Sequence, residues 1–144
     1  MTVKQYLRQA YRLNELINSD IQELEQLKAL SKSISSPNLS GMPSGNKKQE
    51  APFVGAIIKI VTLEKVINTE IDRFVDLKKE IRTVISSVED NNQKLCLKLR
   101  YLQFLSWESV AIEMNLSLKQ VHRIHAEALK AVKIPFIQSI NDTK

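Results

Sequence analysis

The chain has 144 residues, of which 43% are hydrophobic and 26% charged, the balance of an ordinary folded domain. Three glycines and four prolines are too few to punctuate many short strands, so long helices are expected. The single cysteine, Cys96, excludes an internal disulfide and any CxxC metal or redox motif, and the formal charge of +5 makes an anionic partner worth seeking.

The first expected helix spans residues 3–34. Val3, Tyr6, Ala10, Leu13, Ile17, Ile21 and Leu24 form a narrow apolar seam with a spacing of about 3.5 residues. Lys4, Arg8, Arg12, Glu15, Asp20 and Glu23 fill the other faces. The stretch 35–52 holds three of the four prolines and two of the three glycines. Helix should end there, and a flexible linker is expected.

A second long helix is expected over 53–88, with a seam of Ile57, Ile60, Ile67, Ile71, Phe74, Ile81, Ile85 and Val88, interrupted by Glu64 and Lys78. The two helices can fold back as an antiparallel hairpin or pair with another chain. A lone hairpin has little core, so a homodimer through the N-terminal helices is expected. No apolar run approaches the roughly 20 residues that span a bilayer. The N-terminal stretch also lacks a signal peptide's apolar core, so no membrane role and a cytoplasmic, nucleoid-associated location are expected.

Asp90 or Asn91 can cap the next helix, whose inner face should be Leu95, Leu99 and Leu102. Ser106 can cap a short helix, WESVAIEM, that buries Val110, Ala111 and Met114. Asn115 can adopt the left-handed conformation that ends a helix. Leu116 then turns inward, and Ser117 caps a second helix with Val121, Ile124, Ala128 and Leu129 or Val132 facing in. A small Ala111, a turn at Asn115 and plugging residues at Leu116, Val121 and Ile124 are what two helices meeting at a sharp angle require. Pro135 should end the folded region, leaving 136–144 as a frayed tail.

The outward face of that last helix carries Lys119, Gln120, His122 and Arg123 near its start. These side chains reach base edges and phosphates. Lys130 and Lys133, further along, would touch only the DNA backbone. Between Lys94 and Ile134 there are seven basic and three acidic residues, so this segment holds +4 of the total charge.

The run LRYLQFLSWESVAIEMNLSLKQVHRIHAEALKAV resembles region 4 of bacterial sigma-70-type factors. The match lies in LRY, in LSWESVA, in the hydrophobic turn and in the run LSLKQVHRIHAEALKAV that follows. Together with the two apolar seams it gives an all-α chain: a long helical hairpin or coiled-coil arm (1–88), read from the seams, followed by a sigma-region-4-like helix-turn-helix domain (89–135), which the resemblance implies. It also implies that the helix beginning at Ser117 enters the major groove of double-stranded DNA. Carried over by position, Lys119, Gln120, His122 and Arg123 become base readers, while Ser117 and Arg100 become phosphate contacts. Trp107 would lie near the backbone or in the core. RNA polymerase, on which region 4 also docks, becomes a second partner. The arrangement is similar to small phage and prophage proteins, including late-gene regulators of the ArpU/RinA type. The two N-terminal helices carry no sigma resemblance, so promoter melting is not expected.

His122 and His125 are three residues apart, but no further ligand completes a zinc site. No glycine-rich phosphate loop or catalytic set is present, so neither a metal, nor a cofactor, nor an enzyme is expected. The alternative function is an interaction module that binds polymerase or another protein through the arm or the sigma-like domain without reading DNA.

Overall fold

The computed structural model describes residues 1–35 and 47–134, with side chains described for 1–33 and 53–134. Six α-helices occur among them and no strand: α1 (Val3–Leu7), α2 (Gln9–Ser35), α3 (Lys47–Ser86), α4 (Asn91–Leu97), α5 (Trp107–Met114) and α6 (Leu118–Ala131). A π-helical segment, Lys98–Leu102, continues α4. The expected tail at 136–144 and the middle of the expected linker lie outside the described residues.

The first expected helix is two. Thr2 caps α1 in a reciprocal box with Gln5. The axis is interrupted at Arg8, yet the hydrogen bonds run on, Arg8 N–H to the Lys4 carbonyl at 3.0 Å and Arg12 N–H to the Arg8 carbonyl at 3.1 Å. Helix α3 begins at Lys47, ahead of the expected start at Phe53, and includes Pro52. Proline's fixed φ is a helical one, and the bond it forfeits falls close to the helix start.

The chain divides into two compact units. One, Glu15–Arg73, is an antiparallel hairpin of the middle of α2 against α3. Among the described residues, Ile17 and Ile67 are buried in it. Glu64, which interrupts the α3 seam, reaches Lys28 at 3.5 Å. Glu70 is held above the usual carboxylate range, first by desolvation and then by a hydrogen bond and charge repulsion from Asp20.

The other unit joins Met1–Asn14 to the described residues from Phe74 on. Its larger core gathers Leu7 and Ala10 from α1 and α2, Ile81 and Ile85 from the end of α3, Val88 just after it, Leu97, Tyr101 and Leu102, then Ala128 and Val132. Tyr6 joins this core and donates its hydroxyl to a Glu80 carboxylate oxygen at 2.6 Å. Burial, then that bond, pushes the phenol far above its ordinary value. Lys78, the other seam breaker, lies 5.5 Å from the centroids of both Phe74 and Phe104, so its charge caps two rings while its stem covers apolar surface.

Candidate nucleic-acid interface

Asp90 caps α4, its Oδ1 accepting the Gln93 N–H at 2.9 Å. An α-helical period placed Leu95 on the inner face together with Leu99 and Leu102. Leu99 and Leu102 are buried, but Leu95 is 42% exposed, and Cys96, Leu97 and Tyr101 take the inner positions. The cause is the π segment, closed by Gln103 N–H to the Lys98 carbonyl at 3.1 Å. One extra residue in a turn rotates the inward face. Burial of Cys96 lifts its thiol to about 11, which removes it from thiolate chemistry.

Phe104 then takes a left-handed φ of 60°. This costs about 1–2 kcal/mol for a residue with a Cβ, and its aromatic neighbours supply the compensation. Tyr11 meets the Phe104 ring edge-on at 5.7 Å, and Phe74 lies at 6.2 Å. Arg100 fixes the same loop, with Nη1 donating to the Leu105 carbonyl at 2.8 Å.

Ser106 caps α5, its Oγ accepting the Ser109 N–H at 3.2 Å. Val110 and Ala111 are buried, Met114 is half-buried, and Glu108 and Glu113 are exposed. The helix ends as its sequence dictates. Asn115 sits at φ 57°, ψ 44°. Its N–H bonds the Ile112 carbonyl at 3.1 Å, and the Leu116 N–H bonds the Ala111 carbonyl at 3.0 Å. This pair of bonds is the Schellman closure, with asparagine where glycine is commonest. Ser117 starts α6 through a capping box: its Oγ accepts the Gln120 N–H at 3.2 Å, and Gln120 Oε1 accepts the Ser117 N–H at 3.0 Å.

Helix α6 packs on α4 and α5. Val121 sits in a small core with Cys96, Leu99, Val110 and Ala111, flanked by Leu105, Trp107, Met114, Leu116 and Ile124. The expected inner face needs one correction. Val121, Ala128 and Val132 are buried, but Ile124 and Leu129 are only half-buried, and His125 goes inside at 7% exposure. Its Nε2 lies 2.7 Å from the Tyr101 hydroxyl, which gives a buried polar ring the partner it needs. Desolvation, then the charges of Lys4, Arg100 and His122, lower His125 to about 4, so it is neutral at physiological pH. Burial raises Tyr101 to about 12 against the opposing pull of Arg100 and Arg8.

Lys119, Gln120, His122, Arg123 and Lys130 are all exposed along α6. Four of them cluster at its start, within two turns of the left-handed residue. Gln120 has given its carbonyl oxygen to the cap, leaving the amide nitrogen as its donor. Ser117 has committed both its N–H and its hydroxyl, the latter 3.1 Å from Gln120 Oε1. Trp107 bridges the two sides of the unit. Its ring lies 5.0 Å from His122 and 4.5 Å from His125, and the Arg100 guanidinium stands 4.5 Å from its centroid. Arg100 is therefore brought to the same face as His122, although Leu105 already holds one of its donors. The α6 residues were legible from periodicity. The place of His125, the stacking of Arg100 on Trp107 and the approach of the N-terminal helix to this loop were not, since all three depend on tertiary packing. Among the described residues, no group of His, Cys, Asp and Glu could hold a metal ion, and no helix is long and apolar enough to cross a membrane.

The family model for sigma-70, region 4, matches residues 90–133. This span runs from the α4 cap through α6, so the left-handed turn lies inside a sigma-region-4-like helix-turn-helix. Neither curated proteins nor solved structures give a match.

Proposed function

We propose that the chain is a sequence-specific DNA-binding transcription regulator of phage or prophage type, with α6 inserted in the major groove. The observation that carries this reading is a coincidence at one place. The Schellman turn at Asn115 ends α5, and the helix that follows begins with four exposed hydrogen-bonding side chains, two of them cationic. Lys119, Gln120, His122 and Arg123 read bases; Arg123 suits guanine, while Gln120 donates through its amide nitrogen. Lys130 and Arg100 meet phosphates. Ser117 reaches a phosphate only when its capping box opens. RNA polymerase is a further partner of the same domain.

A homodimer through the hairpin would present two such helices to half-sites roughly one DNA turn apart. Supporting it, Val54, Ile57, Ile58, Val61 and Val66 of α3 are large, apolar and exposed. Ile58, Leu63 and Val66, with Leu27 of α2, line a groove of about 470 Å³ that has Glu23 and Lys59 on its rim. Opposite charges on one rim suit a two-fold contact, in which each copy's glutamate meets the other's lysine.

Selection of bound fragments from random DNA, followed by sequencing, tests the reading and reports whether the site is palindromic. A preferred sequence is expected, and the Gln120→Ala/Arg123→Ala protein should bind it no better than random duplex. Unchanged binding by that variant refutes the assignment of α6. If the wild type shifts no DNA at low salt but captures polymerase cleanly, the domain is an interaction module instead.

A further inference from the structure

A cavity of about 250 Å³ opens beside the start of α5, lined by Arg8, Tyr11, Arg100, Tyr101, Phe104 and Ser106. Two of the six are arginines and none is acidic. Arg8 is exposed, and Arg100 keeps four of the five N–H donors of a guanidinium after its bond to Leu105. Ser106, the cap of α5, lines the cavity, so the partial positive charge of that helix end lies beside it. Glu108 in that turn is exposed but does not line the cavity. Lys4 and Arg12 extend the charge four residues either side of Arg8, along one hydrogen-bonded face, and both are exposed. Tyr11 and Phe104, edge to face, form an apolar wall of the kind a sugar packs against.

The geometry points to a phosphate-binding subsite in this cavity, completed by Arg8 at the junction of α1 and α2 and filled by a phosphodiester of the DNA duplex that α6 reads. The inference rests on the DNA-binding reading. The two places are continuous: Arg100 faces the cavity and lies over Trp107, whose ring lies 5.0 Å from His122 at the start of α6. Arg8 and Tyr11 fall outside residues 90–133, so this contact belongs to the chain's own N-terminal helix and not to the part shared with sigma factors. A duplex phosphate and a free one present the same chemistry, a tetrahedral anion taken by two guanidinium forks.

The test compares wild type, Arg8→Gln and Lys65→Gln full-length chains by fluorescence anisotropy, on the selected duplex and on a random duplex, across a salt series. Inorganic phosphate and AMP are titrated separately against Trp107 fluorescence. Arg8→Gln is expected to weaken both duplexes alike, several-fold, and to flatten the slope of log K against log salt by about 1. Lys65→Gln, which removes one charge from the hairpin, should leave the slope unchanged. If wild type binds DNA and Arg8→Gln keeps its affinity and slope, the subsite is overturned while the DNA reading stands. Equal flattening by Lys65→Gln marks overall charge and overturns it too. If wild type binds no duplex, yet inorganic phosphate or AMP shifts Trp107 and Arg8→Gln abolishes that shift, the cavity is a site for a free phosphate and the DNA reading fails. No response to duplex or to small phosphates removes both.

Discussion

Acidification should weaken the domain through one ring. His125 is buried, neutral and bonded to Tyr101, with its pKa lowered from 6.5 to about 4. In the unfolded chain it protonates near 6.5, so between about pH 6.5 and 4 the unfolded state binds the extra proton. Stability is therefore fully present above pH 6.5 and falls as the pH drops towards 4. The gap of about 2.5 pH units, at about 1.4 kcal/mol per unit, comes to roughly 3.5 kcal/mol, a large share of the 5–15 kcal/mol that is typical of a domain. Urea melts followed by helical circular dichroism from pH 7.5 to 4.5 measure it. The Tyr101→Phe/His125→Leu double variant removes both polar partners, so neither is left unsatisfied. It should lose most of the slope between pH 6.5 and 5, where carboxylates contribute least. Parallel pH profiles for variant and wild type would refute the assignment.

Other perturbations probe separate parts of the molecule. Asn115→Gly should leave thermal stability unchanged or raised, whereas Asn115→Val should cost about 1–2 kcal/mol, because a β-branched residue resists a φ of 57°. Ser117→Ala should cost about 1 kcal/mol in denaturant melts through loss of the capping box. Glu70→Gln should stabilise the chain at neutral pH. A raised carboxyl pKa gives stability that is present below the unfolded value and lost as pH rises through the folded one, so the gain should vanish in acid. Lys130→Ala should weaken selected and random duplexes equally, and competition binding reads this directly.

The caps at Asp90, Ser106 and Ser117 and the left-handed Asn115 were legible because each is decided within four or five residues by side-chain chemistry. The exposed start of α6 followed from its period. The π segment was not legible, since nothing in KLRYL departs from ordinary helical preference. Its cost is recovered in packing, where Tyr101 meets His125 and Arg100 meets Leu105. Phe104 at positive φ gives no sequence signal, because phenylalanine is among the residues least expected there. The expected division at residue 88 treated both long helices as one arm. Their apolar seams continue into the unit that also holds α4 to α6, and a seam alone does not say which core it enters. The start of α3 before Pro52 shows the same limit, since proline near a helix beginning and proline in a loop read alike.

The start of α6 is proposed to lie in the major groove. Dimethyl sulfate footprinting on the selected duplex tests it most directly, because guanine N7 faces that groove. Guanines should be protected by the wild type and left open by Arg123→Ala. Reactivity unchanged at every guanine of a bound, shifted duplex would contradict it.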